Sequence, residues 1–117
     1  MSDVTIYFNP GCGNCRETLA LIRGKGTEPR IVEYLTEPLS AQTLKELTAA
    51  MGLAPRDLLR EKDPLYDANA LADPKWSDDE LIGFMLANRT LINRPIVVTP
   101  LATRLCRPPA TVLEILP

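Results

Sequence analysis

The sequence predicts an α/β domain with the order β-α-β, a helical block, then β-β-α, and four strands in a mixed sheet. Three observations lead there. A β-rich pentad, Val4-Thr5-Ile6-Tyr7-Phe8, is broken by Asn9-Pro10-Gly11 and followed at once by a helical pattern. The middle of the chain is punctuated by helix caps and carries no strand pattern. Near the C-terminus an apolar run, a turn and a returning strand lead into Pro108-Pro109.

Taken in order, residues 4–8 form the first strand. Residues 13–23 form a helix with Leu19, Ala20 and Ile22 among its apolar positions, and Gly24 and Gly26 end it. Residues 30–35 form a second strand, and a helical crossover of this kind makes the pair parallel. Ser40 caps a helix that reaches Met51 and closes at Gly52. Pro55 opens a short helix through Leu58, Leu59 and Arg60. Residues 62–75, rich in Asp, Pro and Ala, are expected to be loop with one short turn. Ser77-Asp78-Asp79-Glu80 has the capping-box spacing and precedes Leu81, Ile82, Phe84, Met85 and Leu86. Ile96-Val97-Val98 is a strand, Thr99-Pro100-Leu101-Ala102 a turn, and residues 103–106 the returning strand. A last helix runs from Pro108-Pro109 through Val112, Leu113 and Ile115. The 117 residues suit one domain, and the helical block at about residues 38–92 reads as an insertion, because neither flank has enough strands to stand alone.

Composition narrows the chemistry. Hydrophobic residues make up 45% of the chain but aromatic residues only 5%, so the core is built mainly from Leu, Ile, Val and Ala. A net charge of -2 gives no bulk support for nucleic-acid binding. No signal peptide is visible, and no apolar run approaches the ~20 residues of a membrane span, so the expected location is the cytoplasm. Cysteines there stay reduced, and a close pair points to redox work. Histidine is absent, which excludes Cys-His catalysis and His-ligated metals. Three cysteines fall short of a closed zinc site within one chain, which leaves only an intersubunit site, and no metal is expected. No bound cofactor is expected either.

The chemistry lies in Asn9-Pro10-Gly11-Cys12-Gly13-Asn14-Cys15-Arg16. A strand stops, a tight loop turns, and a helix begins at Cys12. Unpaired N–H groups and the helix dipole favour a thiolate there, and the same cradle suits a tetrahedral oxyanion. Arg16 adds a positive charge one turn later. Cys15 lies one turn in. It is either a resolving thiol that forms a disulfide or an inert small apolar residue, and the spacing does not choose between them.

Asn9-Pro10-x-Cys12-Gly13, Leu58-Leu59-Arg60, Leu91-Ile92-Asn93-Arg94-Pro95-Ile96-Val97-Val98-Thr99-Pro100 and Thr103-Arg104-Leu105-Cys106-Arg107-Pro108 closely resemble the glutaredoxin-linked bacterial arsenate reductases. The resemblance covers nearly the whole chain. It implies a thioredoxin-like fold with a helical insertion, Cys12 as the nucleophile, and Arg60, Arg94 and Arg107 around the arsenic centre. Asn9, Gly13, Arg16 and Pro95 support the site in this reading, and Arg94-Pro95 is expected to be a cis peptide. The implied reaction is attack of the Cys12 thiolate on arsenate. Glutathione, as co-substrate, then attacks the adduct, glutaredoxin removes the glutathione, and arsenite leaves. Guanidinium forks fit such an oxyanion and offset its repulsion of the thiolate. The competing reading for each Arg is a solvated surface charge, and it weighs most for Arg60.

Two positions depart from well-studied relatives. Phe8 stands where they often have a histidine, and Cys15 where they often have a serine. The chain also stops at Pro117, without the longer tail of some relatives. Two other functions fit C-x-x-C. One is a general thiol-disulfide or glutathione-dependent oxidoreductase. The other is a redox-switched regulator that binds RNA polymerase, although such a switch has no need of Arg60 or of the R-L-C-R-P block. Cys106 adjoins Arg107, and its loss is expected to be tolerated.

Overall fold

The computed structural model describes residues 3–117. The chain divides into two compact units: Met1–Glu37 with Arg94–Pro117, and the continuous stretch Pro38–Asn93 between them.

The first unit is built on a four-stranded mixed sheet. Strand β1 (Thr5–Tyr7) leads into helix α1 (Gly13–Gly24) and then β2 (Arg30–Val32), which pairs parallel to β1. Strands β3 (Ile96–Val98) and β4 (Thr103–Leu105) complete it antiparallel, giving the order β2-β1-β3-β4. The β1–β3 register pairs Tyr7 with Ile96. That pairing brings together two stretches far apart in sequence.

The core of this unit combines Val4, Ile6 and Phe8 from the β1 segment, Cys15, Leu19 and Ile22 from α1, Val97 from β3, and Cys106, Val112 and Ile115 from the C-terminal segment. The i, i+4, i+7 spacing of the α1 residues places them on one helical face. Phe8, at the position where a histidine was the alternative, is a core side chain.

The second strand is shorter than expected. After Val32 the backbone turns, with the Glu33 carbonyl accepting from the Thr36 and Glu37 amides at 3.0 Å each. The C-terminal helix expected from Pro108-Pro109 is a 3-10 helix, Pro109–Glu114. The peptide before it, Arg107-Pro108, is cis.

The second unit is helical: α2 (Ala41–Met51), α3 (Pro55–Leu58), α4 (Pro64–Ala68), α5 (Asp78–Ala87) and a 3-10 turn, Arg89–Leu91. Helices α2, α3 and α5 pack against one another. Ser40 caps α2 through the Thr43 amide, and Gly52 ends it in the left-handed conformation. Ser77 and Glu80 close a reciprocal capping box on α5. Helix α4 lies in the segment expected to hold only a short turn. Pro64 fixes its first φ and Asp63 caps it through the Leu65 amide at 2.9 Å. Among the described residues no helix is long and apolar enough to cross a membrane.

Candidate active site

Cys12 is the N-cap of α1, with extended backbone angles (φ -99°, ψ 122°). A tight turn delivers it there. Its amide donates to the Asn9 carbonyl at 3.0 Å, and its own carbonyl accepts from the Arg16 amide at 3.1 Å. The Asn9 side chain holds the turn by accepting from the Gly11 amide at 2.9 Å. Gly13 is the first residue of α1, and a side chain there would meet the Arg16 guanidinium.

The Cys12 thiol closes no conventional side-chain cap, yet the Cys15 backbone N–H lies close enough to favour its thiolate. Burial alone would raise its pKa. That effect is outweighed by the Cys15 amide, by a hydrogen bond from the Cys15 thiol, and by the hydrogen bond and positive charge of Arg94. The balance brings Cys12 down from 9.0 to about 7. Cys12 is partly exposed, so its sulfur is accessible and near half ionised at neutral pH.

Cys15 is the opposite case. It is fully buried, and burial, helped by the negative charge of Cys12, pushes its thiol up to about 12. The Asn9 amide and Arg94 act against this without overcoming it. Cys15 therefore stays protonated in the resting state. The Tyr34 hydroxyl joins the same cluster. Burial raises it to about 12, although Arg94 and the Asn9 side chain favour its ionised form.

Arg94 is 8% exposed, and the Arg94-Pro95 peptide is cis. Arg107 anchors beside it. Its Nη1 donates to the Arg94 carbonyl at 2.8 Å. Asn14, with its amide oriented by the hydrogen-bond network, accepts from both Nη1 and Nη2 of Arg107 at 3.2 Å. Arg107 thus joins the cysteine loop to the Arg94 segment. Asn14 and Tyr34 were not singled out from sequence, and no motif marks either.

Arg16 contacts the cysteine loop. Its exposed guanidinium turns back to the Pro10 carbonyl at 2.8 Å, and the charge that acidifies Cys12 comes from Arg94. Arg60 belongs to the helical unit. Its amide donates to the Leu91 carbonyl at 2.8 Å, and its side chain is 4.0 Å from the buried Asp63 carboxylate. Cys106 is a core thiol, 3.7 Å from the Arg104 carbonyl, and burial raises it to about 11. Among the described residues no group of three or more potential metal ligands comes together.

Comparison with known proteins gives the family. The model of the ArsC family matches residues 7–115. This chain belongs to the ArsC family. It is 56% identical over all 117 residues to an arsenate reductase of Escherichia coli (strain K12), spanning 83% of that protein. It is 54% identical over 114 residues to an arsenate reductase of Rhizobium meliloti (strain 1021), covering 97% of this chain and 81% of the relative. An arsenate reductase structure from Vibrio cholerae superposes with a TM-score of 0.92 at 44% identity, covering 97% of each chain. The mixed four-stranded sheet is thus the thioredoxin-like α/β fold of ArsC-family proteins.

Proposed function

We propose that this ArsC-family chain reduces arsenate to arsenite through a covalent adduct on Cys12, with glutathione and glutaredoxin supplying the electrons. The observation that carries this reading is the Cys12 thiol, brought to about 7 at the open start of α1 beside Arg94. The names of its relatives, arsenate reductases over most of their length, give the substrate.

In this mechanism the Cys12 thiolate attacks arsenic and a water leaves, giving an S–As bond. Arsenate is mainly a dianion near neutral pH, so an unassisted thiolate meets repulsion. Arg94 and Arg107 lower that repulsion, and Arg60 is the third arginine of the family's pattern. Their charge counts most where negative charge grows on the arsenic oxygens. A second thiol then attacks the Cys12 sulfur: an S–S bond forms, the S–As bond breaks with its electron pair on arsenic, and As(V) becomes As(III) as two thiols become one disulfide. No bound cofactor takes part, and a glutathione-rich cytoplasm is the compartment in which the cycle runs.

The deciding experiment is arsenate-dependent NADPH oxidation with glutathione, glutaredoxin and glutathione reductase present. Turnover that depends on each component is expected. Reduction of a model disulfide with no arsenate turnover would overturn the proposal in favour of a general thiol-disulfide oxidoreductase, the reading that C-x-x-C itself favours.

A further inference from the structure

Cys15 differs from an ordinary core cysteine in its contacts. Its sulfur lies within electrostatic reach of the Cys12 sulfur, the Asn9 amide faces it, and Arg94 acts on both sulfurs. Cys12 is the N-cap of α1 and Cys15 is three residues on. Neighbours three apart on a helix have Cβ atoms ~5–6 Å apart, and a disulfide needs ~3.5–4.5 Å. The extended backbone of Cys12, outside the helical ladder, leaves that small closure to one residue. The third cysteine, Cys106, bonds to the Arg104 carbonyl instead.

We infer that Cys15 is the thiol that resolves the Cys12–arsenic adduct, so that the first oxidised product is a Cys12–Cys15 disulfide and glutathione enters only afterwards. This rests on the arsenate-reduction reading above. The Cys15 sulfur attacks the Cys12 sulfur, the S–S bond forms, and the S–As bond breaks with its electron pair staying on arsenic. Arsenic goes from As(V) to As(III), the two thiols are oxidised to one disulfide, and the Cys15 proton leaves with arsenite. Overall, arsenic acid and two thiols give arsenous acid, a disulfide and water.

The surroundings of Cys15 change in the right direction during this step. In the resting enzyme the negative Cys12 sulfur opposes ionisation of Cys15. Burial still raises the Cys15 thiol, but once the Cys12 sulfur is bonded to arsenic the thiolate's part of the opposition is removed, while the Asn9 amide and Arg94 remain. The disulfide is then opened from outside at Cys12, the exposed partner. Glutathione attacks the Cys12 sulfur and frees Cys15, and glutaredoxin or a second glutathione removes the mixed disulfide.

The test is a single turnover. Fully reduced protein, freed of small thiols, is mixed with arsenate alone. Arsenite is measured, and thiols are counted after acid denaturation. The wild type is expected to form arsenite and to lose two of its three thiols, with peptide mapping placing the disulfide between Cys12 and Cys15. Cys106→Ser should do the same, and Cys15→Ser should form no arsenite. A parallel run with glutathione and glutaredoxin separates the two readings. Turnover there, with no arsenite from wild-type protein alone, overturns the role of Cys15 and leaves arsenate reduction standing. No arsenite in either run overturns both.

Discussion

Helices α1 and α5 begin in contrasting ways. The start of α5 is closed: Ser77 and Glu80 satisfy each other's backbone amides, and Asp78, Asp79 and Glu80 put three carboxylates in the first turn. The start of α1 has no acidic residue in its first turn and no side-chain cap. Its positive end faces the Cys12 sulfur. Both starts answer the same physical demand, which is that the first amides of a helix need acceptors. One answers it with side chains fixed for stability, the other with a sulfur that is free to react. An N-terminus with neither carboxylates nor a side-chain cap is therefore the informative one.

The largest effect should come from removing the sulfur. Cys12→Ser is expected to lower arsenate reduction by at least about 10³-fold, measured in the coupled assay. Next is the buried cation. Arg94→Ala should raise the midpoint of pH-dependent Cys12 alkylation by roughly 1 unit, with Arg94→Lys in between. In the intact protein alkylation should rise with pH and level off above about 7, because the thiolate is the reactive form. The same ionisation adds stability that is fully present above the unfolded value of 9.0 and is lost as pH falls through about 7.

A smaller effect lies at the closed helix start. Ser77→Ala should cost about 1 kcal/mol of stability in denaturant titration and leave the Cys12 midpoint unchanged. Smallest is the attempt to make α1 resemble α5. Asn14→Asp keeps an acceptor for Arg107 but puts a carboxylate in the first turn, which should raise the Cys12 midpoint by about 0.2–0.7 unit. A fall in that midpoint would show that the Arg107 contact outweighs the helix dipole.

Much of this contrast is written in short-range sequence. Ser77-x-x-Glu80, Ser40 with Gly52, and the glycines after α1 are local signals, and the helices end where those residues stand. Cys12 was legible for the same reason, because strand, breaker and helix adjoin it. Long-range pairing was not legible. Nothing near Asn14 says that Arg107 will reach it, and nothing in Arg16 says that its charge will turn to the Pro10 carbonyl. Tyr34 looked like part of a strand because its neighbours are β-formers. It lies in a turn instead, beside Asn9. Conventional motif reading weights charge by its distance along the chain, and here Arg94, most of the sequence away from Cys12, does what the adjacent Arg16 does not.

The β1–β3 pairing, which brings the segment of Arg94 alongside β1, makes the acidity of Cys12 a property of the folded sheet. In the unfolded chain Cys12 returns to an ordinary thiol near 9.0, so at pH 7 its thiolate falls from about half to about 1%. A more basic thiolate is intrinsically faster by roughly 10-fold, which offsets part of that ~50-fold loss. Unfolding should therefore slow alkylation of Cys12 by about 5-fold while exposing Cys15 and Cys106 to it. Most buried cysteines announce unfolding by becoming reactive. In this chain one cysteine signals it by falling quiet, so labelling all three in a denaturant series reads sheet pairing and core opening separately.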